Sequence, residues 1–205
     1  MAAQPSEQDL IQQAQAGDSE AFNQLVLRYQ DGLYRYASSL CGDPDLADDI
    51  TQETFIKAFQ NIKAVQTGTF RPWLFKIATN TARDLARRSA RHPSIPLYPQ
   101  DEHGEEVESP YWLLDSSPLV EAALQSNERN AELYRMVDEL PEAHRSILTL
   151  IDLQEMDYIE AAEILEIPLG TVKSRLARAR LQMKRKLQSA HDSSITSHNL
   201  QALAI

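Results

Sequence analysis

The sequence predicts an all-α protein made of two small helical domains that a flexible acidic linker joins. Three observations favour this fold class. The 205 residues include 6 glycines and are rich in Leu, Ala, Gln, Glu and Arg, which favour helices over strands. Apolar residues recur at three- and four-residue spacing, without strand alternation. This periodicity stops over most of 91–127, where prolines, acids and serines accumulate.

The first domain is predicted over 17–90, after an N-terminal extension at 1–16, as a bundle of three to four helices. Asp18 is expected to cap the first helical segment, which is one amphipathic helix or two abutting ones, and Gly42 to end it. Asp43 and Pro44 supply the cap and first turn of the second helix, and Pro72 opens the third. The expected buried residues of these last two helices are Ala47, Ile50, Thr54, Phe55, Ala58, Phe59 and Ile62, then Trp73, Leu74, Ile77, Ala78, Thr81 and Leu85.

The second domain is predicted over 128–188 and contains a helix-turn-helix. A short helix at 158–165 is followed by a tight connection at 166–170, and Thr171 is expected to cap the next helix. Ala162 is small enough for the two helices to cross closely. In this arrangement the N-terminal residues of the second helix enter the major groove of DNA.

The linker and the C-terminal tail show no comparable pattern. The linker, 91–127, contains the apolar patch 111–114, including Tyr111 and Trp112. Because a solvated linker gains nothing from a Trp, we expect this patch to dock on the protein or on a partner. The tail, 189–205, is expected to fray or to make a minor contact.

The charge of the chain is unevenly distributed. The net charge is -10, and residues 99–142 hold 12 acids and 2 bases. In contrast, residues 171–186 hold seven bases and no acid. A local cluster of this kind favours a polyanionic partner, which the net charge alone would argue against.

Other features of the sequence narrow the function classes. The N-terminus lacks a basic stretch followed by an apolar core, and no run approaches eighteen apolar residues. We therefore expect a cytoplasmic protein without membrane insertion. The single cysteine, Cys41, cannot form an internal disulfide, and its place on the apolar side of a helix end predicts a buried thiol.

The basic helix of the second domain offers candidate DNA contacts. Helical spacing turns Val172 and Leu176 inward and leaves an outward set suited to phosphate and base contacts. The alternative is a solvated basic helix end that is stabilised by its own dipole. The outward residues are Lys173, Ser174, Arg175 and Arg178.

Three stretches of this domain closely resemble region 4 of extracytoplasmic-function (ECF, group IV) RNA polymerase sigma factors. They are LPEAHR at 140–145, YIEAAEILEIP at 158–168 and GTVKSRLARAR at 170–180. The resemblance implies that Lys173, Ser174, Arg175 and Arg178 read the promoter's minus-thirty-five element, and that Thr171 caps the helix and can contact phosphate. Two residues depart from the family pattern: Ala161 replaces an Ile, and Glu166 replaces a turn glycine. These departures concern packing and turn strain.

The stretch DLADDITQETFIKAF at 45–59 resembles region 2.2 of the same family. The resemblance implies binding to the β′ clamp helices of RNA polymerase. The helix would offer four polar residues to a basic partner and an apolar anchor beside them. From charge alone, an acidic face in water is the simpler interpretation. The implied contact residues are Asp48, Asp49, Gln52, Glu53 and Ile56.

The stretch FRPWLFKIATNTARD at 70–84 resembles regions 2.3 and 2.4, which melt and read the minus-ten element. Four polar residues share one stripe at spacings of four, three and four, and the connection at 66–70 would hold an extruded base. Trp73 could stack on DNA, but its place on the apolar stripe favours the core. The stripe consists of Lys76, Asn80, Arg83 and Arg87.

Taken as a sigma factor, the chain has implied partners. They are the β′ clamp helices and β flap of core RNA polymerase, promoter DNA, and an inhibitory anti-sigma factor. The acidic linker would pass through the polymerase toward the RNA exit path. The resemblance covers 17–90 and 128–188 in the family's order.

Two other functions fit parts of the sequence. A DNA-binding activator that dimerises through its N-terminal helices would share the helix-turn-helix but bind its site tightly alone. An enzyme could use Asp48, Asp49 and Glu53 with a histidine such as His144, but these acids share one helix face without His or Cys at ligand spacing. We therefore expect no enzymatic activity, no metal and no cofactor.

Overall fold

The computed structural model describes residues 5–65, 70–91 and 128–202. These residues form eight α-helices and no strand, which confirms the predicted all-α class. The chain divides into two compact units, Met1–Ser126 and Asn127–Ile205. The linker patch with Tyr111 and Trp112, and most of the predicted linker, lie outside the described residues.

The first unit begins with a helix that the sequence analysis did not predict. Helix α1, Glu7–Gln15, lies inside the N-terminal extension. Ser6 and Asp9 form a reciprocal capping box, which satisfies backbone donors at the helix start. Its apolar face is buried and packs mainly on the next helix, so this segment is part of the unit's core. The buried residues are Leu10, Ile11 and Ala14.

Helices α2, Ser19–Cys41, and α3, Pro44–Gln60, follow with the predicted caps. Asp18 accepts hydrogen bonds from the first turn of α2, and Gly42 ends that helix at a φ of 71°. This left-handed conformation carries no Cβ penalty in glycine. Asp43 caps α3 and Pro44 occupies its first turn.

Helix α4, Phe70–Arg91, completes the first unit and packs against α2 and α3. It begins two residues before Pro72, which lies in its first turn. Tyr36 and Thr79 share a buried hydrogen bond of 2.8 Å between α2 and α4. Aromatic rings of the core also meet in pairs, including Tyr36 with Phe75 at 5.3 Å and Phe22 with Phe59 at 5.0 Å. Phe59 is 38% exposed, so this predicted core residue lies at the edge of the core.

The second unit contains helices α5, Glu128–Asp138, α6, Glu142–Leu148, α7, Tyr158–Leu165, and α8, Leu169–Ala202. A π-helical turn, Thr149–Leu153, continues directly from α6. The described buried apolar residues of this unit are all aliphatic. They are Val137, Leu140, Ile147, Leu148, Leu150, Met156, Ala161, Ile164, Leu165, Val172, Leu176, Ala179 and Met183.

Two expectations about the second unit need correction. Thr171 is not the N-cap of the helix, because α8 starts at Leu169 and the backbone N–H groups of Thr171 and Val172 both donate to the carbonyl of Pro168. The helix therefore starts three residues earlier than predicted, and Thr171 lies in its first turn. The tail, 189–205, was expected to fray or to make a minor contact, whereas α8 continues as helix to Ala202.

Within the described residues, the structure contains no helix long and apolar enough to cross a membrane. In the same part of the chain, His, Cys, Asp and Glu do not form any cluster of three that could bind a metal ion.

Candidate nucleic-acid and protein interfaces

One face of α3 presents the predicted protein-binding residues. Asp48, Asp49 and Gln52 are exposed, whereas Glu53 and Ile56 are partly exposed. They share a face because they occupy helical positions one and four residues apart. The opposite face of α3 is anchored in the core through Ala47, Ile50, Thr54, Phe55 and Ala58.

The environment of this face perturbs one of its acids, Asp48. The pKa of Asp48 is raised above its ordinary value, first by partial burial and then by the charges of Asp45 and Asp49. An uncompensated acidic cluster of this kind gains most from a cationic partner, which would relieve the mutual repulsion. The geometry therefore suits a basic protein surface.

Glu53 differs from the other acids because its charge already has a partner. Its carboxylate lies 2.7 Å from the Lys57 ammonium, one turn further along α3. Lys57 also donates to the hydroxyl of Thr81 on α4 at 3.1 Å. This bridge links the acidic face of α3 to the neighbouring helix α4 and leaves Asp48 and Asp49 as the more available charges.

The predicted polar stripe lies on α4. Lys76, Asn80 and Arg87 are exposed, and Arg83 is partly exposed, while Leu74, Phe75 and Ala78 of the same helix are buried. Arg87 also lies 3.5 Å from Asp84 on its own helix. The stripe therefore offers donors for phosphate and base edges from a helix whose other face is fixed in the core.

Trp73 is partly exposed at the start of α4, so it is neither a fully buried core residue nor a free wedge. Its ring lies 5.9 Å from that of Phe70, which is fully buried. The predicted base-holding connection at 66–70 lies outside the described residues except for Phe70.

The helix-turn-helix consists of α7, the turn 166–168 and α8. Asp157 caps α7 with a capping box completed by Glu160. Glu166 ends α7 in the left-handed conformation, with a φ of 56°. This is the turn position where the family resemblance led us to expect glycine. A side chain here stores local strain that glycine would avoid.

Two of the bases of α8 form ion pairs within the second unit. Arg180 forms a bidentate pair with Asp152, at 2.6 and 3.0 Å, and Lys186 pairs with Glu139. These bases hold the unit together. By contrast, Lys173, Arg175 and Arg178 have no ion-pair partner among the residues that the structure describes.

These three bases belong to the predicted DNA-reading set, together with Thr171 and Ser174. Lys173, Ser174 and Arg178 are exposed, and Thr171 and Arg175 are partly exposed. Val172 and Leu176 face the core, as predicted. The Ser174 hydroxyl donates to the carbonyl of Thr171, which tightens the first turn. Unpaired bases at the start of the second helix suit a groove contact.

Sequence reasoning missed a groove elsewhere in the second unit. It is an open apolar groove of about 1050 Å³ between α5, the end of α6 and the middle of α8. Leu187 is 46% exposed there. The only sequence signal was Leu187, an apolar residue one turn after Met183 that continues the buried stripe of α8. The apolar lining consists of Leu133, Val137, Leu148, Leu153, Met183 and Leu187.

The two units match two family models. Residues 25–92 match the model described as Sigma-70 region 2, and residues 130–183 match Sigma-70, region 4. The first range contains the acidic face and the polar stripe, and the second contains the helix-turn-helix.

Whole proteins are similar over nearly the full length. The ECF RNA polymerase sigma-E factor of Haemophilus influenzae is 33% identical over 190 residues, covering 92% of this chain and 98% of that protein. The RNA polymerase sigma-H factor of Pseudomonas aeruginosa is 35% identical over 191 residues, covering 92% and 97%. A solved structure, of CnrH in complex with the cytosolic domain of CnrY, has a TM-score of 0.58 and 26% identity, covering 89% of this chain and 97% of that one.

Proposed function

Because the chain belongs to the ECF RNA polymerase sigma factors, we propose that its two units divide promoter recognition between them. As a sigma factor, the protein directs RNA polymerase to promoters and is not an enzyme. The division assigns polymerase binding and the minus-ten element to the first unit, over 17–90. It assigns the minus-thirty-five element to the second, over 128–188.

The observation that carries this proposal is that two packed helices of one unit present opposite charges. Helix α3 presents Asp48 and Asp49, and α4 presents Lys76 and Arg87. An ordinary DNA-binding regulator has no use for an acidic face beside a basic one, since the acids repel DNA. A sigma factor needs both, for a protein partner and for DNA.

For polymerase binding, we assign the acidic face of α3 to the β′ clamp helices. Asp48, Asp49 and Gln52 would make the polar contacts, with Ile56 as the apolar anchor. Glu53 would contribute less to the binding free energy, because it must give up its ion pair with Lys57 to contact the polymerase.

For the minus-ten element, we assign the α4 stripe. Lys76, Arg83 and Arg87 would hold the phosphates of the separated strand, and Asn80 would read a base edge. The unpaired bases of α8 are assigned to the minus-thirty-five element. Arginine can bind a guanine edge with two hydrogen bonds, so Arg178, fully outward on α8, is the leading candidate for base reading.

The remaining partners follow from the same assignment. The apolar groove beside Leu187 fits an apolar segment of the polymerase, and we assign it to the β flap. CnrH was solved with the cytosolic domain of CnrY, and we infer that an anti-sigma factor binds this chain in a similar way. We also infer membership of group IV, with regions 2 and 4 joined by the acidic linker, and action in the cytoplasm, where the polymerase and the promoters are found.

Run-off transcription tests the proposed function. Bacterial core polymerase is supplied with a pool of randomised promoters, with and without the protein. We expect a set of transcripts that appears only with the protein and whose templates share two sequence elements. The proposed function would be overturned if no such transcripts appear and the protein alone binds a specific DNA site tightly as a dimer. The protein would then be a DNA-binding activator.

The same promoter pool tests the assignment of Arg178. Arg178→Ala should lower the preference at one or two minus-thirty-five positions by roughly tenfold, since one bidentate contact contributes about 1–3 kcal/mol of discrimination. Arg185→Ala is the matched control, because Arg185 is also an exposed arginine of α8. It should leave every base preference unchanged. Equal effects of both variants on the base preferences would show that Arg178 contacts phosphate without reading a base.

A further inference from the structure

Two polar contacts hold α8 on opposite flanks of its buried apolar stripe. The stripe consists of Val172, Leu176, Ala179 and Met183. Arg180 directly follows one residue of this stripe, and Gln182 directly precedes another. Because each residue turns an α-helix by about 100°, these two side chains leave α8 on opposite sides of the stripe. Each of them meets a different neighbour of the helix.

The first contact ties α8 to the chain at the start of α7. The Arg180 guanidinium donates to both carboxylate oxygens of Asp152, in the π-helical turn, at 2.6 and 3.0 Å. The pKa of Arg180 is raised, first by its hydrogen bond to Asp152 and also by the hydroxyl of Tyr158, the first residue of α7. Arg180 therefore lies on the side of α8 where the first helix of the helix-turn-helix begins.

The second contact ties α8 to α6. The Nδ1 atom of His144, in α6, donates to the side-chain oxygen of Gln182 at 2.8 Å, and this contact is partly buried. Gln182 follows Arg178 by four residues, so their side chains lie along the same line of α8. The second contact is therefore one helical turn from the leading candidate for base reading.

These contacts define the roll of α8 about its own axis more closely than apolar packing does. The described buried apolar residues of this unit are aliphatic, and the hydrophobic effect has no preferred direction. Hydrogen bonds depend steeply on angle and distance. The Arg180 side chain is 51% exposed, so its ion pair adds little to stability. Two directional contacts on opposite flanks nevertheless fix one roll angle.

We propose that Arg180 and Gln182 are positioning residues for minus-thirty-five recognition, which fix the roll of α8 so that Arg178 meets a base edge. The proposal rests on the assignment of Arg178 to base reading. A side chain that ends about 6 Å from the helix axis moves by about 1 Å when the helix rolls by about 10°. Binding sites need their contacting groups within about 0.5 Å of the productive geometry. A small roll therefore lowers base discrimination while the fold is kept.

The test measures the base preferences of the holoenzyme on the randomised promoter pool. All variants are full-length and are shown by thermal unfolding to be folded at the assay temperature. Arg180→Ala removes the first contact from α8, and Asp152→Ala removes it without changing α8. Arg185→Ala is the matched control, because Arg185 is also an exposed arginine of this helix. Arg178→Ala and the double variant Arg178→Ala/Arg180→Ala complete a double-mutant cycle.

We expect Arg180→Ala and Asp152→Ala to lower the preference at the positions that Arg178 reads by roughly threefold to fivefold, which is less than the roughly tenfold loss for Arg178→Ala. The minus-ten preferences of these variants, and every preference of Arg185→Ala, should match the wild type. When Arg178 is already alanine, Arg180→Ala should lower the preference no further, because a positioning residue acts only through the residue that it positions.

Two variants of His144 test the second contact in the same assay. His144→Asn places an amide donor near the position of Nδ1 and should keep the wild-type preferences. His144→Leu has no donor, so it should lower the minus-thirty-five preferences as Arg180→Ala does. Its minus-ten preferences should again match the wild type.

Other results would overturn the inference in separable ways. If Arg180→Ala weakens transcription from all promoters equally, Arg180 contacts phosphate and does not position Arg178. Additive effects of Arg178→Ala and Arg180→Ala, or wild-type preferences for both Arg180→Ala and His144→Leu, would also contradict it while the sigma function stands. Wild-type preferences for Arg178→Ala would overturn the assignment of Arg178 and the inference with it. A wild-type protein that yields no specific transcripts would overturn the proposed function itself.

Discussion

The two units of this protein are stabilised differently. The first has a core of paired aromatic rings and a buried hydrogen bond between Tyr36 and Thr79. The second, in its described part, has an aliphatic core closed at the surface by ion pairs such as Arg180 with Asp152. It also contains two non-glycine residues at positive φ, Glu155 and Glu166, on either side of α7. Under the proposed division, the aromatic core belongs to the unit assigned to the minus-ten element, and the aliphatic core belongs to the unit assigned to the minus-thirty-five element.

The largest expected effect is the loss of stability when a buried core side chain of either unit is truncated to alanine. Phe75→Ala removes a fully buried ring and should lower the free energy of unfolding of the first unit by about 3–5 kcal/mol. Leu176→Ala, in the second unit, removes fewer atoms and should cost less. Hydrogen exchange resolved by peptide measures each loss in its own unit. A larger loss for Leu176→Ala would reverse the comparison.

The strained turn of the second unit gives the next effect. Glu166→Gly should stabilise that unit by about 1 kcal/mol, because glycine adopts positive φ without the Cβ clash. The control, Glu163→Gly, places the same change at an exposed position inside α7 and should destabilise by about 1 kcal/mol. Urea unfolding of both variants gives the difference. Equal destabilisation would show that the turn carries no strain.

The salt dependence of the free energy of unfolding should distinguish an exposed ion pair of the second unit from a buried hydrogen bond of the first. Asp152→Asn weakens an exposed ion pair, so its cost of about 0.5–1 kcal/mol should fade between about 0.1 M and about 1 M salt. Tyr36→Phe removes a buried hydrogen bond, and its cost of about 1 kcal/mol should not change with salt. Unfolding curves at both salt concentrations test this contrast, and a salt-independent cost for Asp152→Asn would count against it.

The smallest effect is a pH dependence on the acidic face. The pKa of Asp48 is higher in the folded protein than its ordinary value, because the ionised form is partly buried near Asp45 and Asp49. The ionised form therefore destabilises the fold above the folded-state pKa, and this penalty disappears as the pH falls below the ordinary value of 3.8. Asp48→Asn should be slightly more stable than the wild type at neutral pH.

Thermal unfolding against pH measures this effect. The advantage of Asp48→Asn over the wild type should shrink as the solution becomes acidic. Asp31→Asn, at an exposed acid of α2, is the control for the loss of one negative charge. An advantage that grows in acid would contradict the assigned cause.

Local signals of the sequence predicted much of this fold. Asp18, Gly42 and Asp43 mark helix ends through side-chain caps or positive φ, which depend on neighbouring residues. Helix α7 has the predicted bounds for the same reason. The outward position of Lys173 and Arg178 followed from helical spacing alone.

The remaining features depend on contacts that a single helix pattern does not contain. Helix α1 could have been found from the Ser6–Asp9 capping box and the apolar residues that follow, but the hydrogen bonds from Gln15 to the carbonyls of Ile62 and Val65 could not. Thr171 looked like a cap because threonine suits that position, whereas the Pro168 carbonyl starts the helix earlier. The apolar groove is formed by residues that are far apart in the sequence, so Leu187 alone could not indicate it.

Binding of core polymerase to the α3 face is the central claim, and a charge reversal tests it most directly. Asp49 is exposed on that face and Asp31 is exposed on α2, so Asp49→Lys and Asp31→Lys change the net charge equally. The affinity of each full-length variant for bacterial core polymerase is measured by fluorescence anisotropy. We predict at least roughly tenfold weaker binding for Asp49→Lys and no more than about twofold for Asp31→Lys. Wild-type affinity of Asp49→Lys would contradict the account.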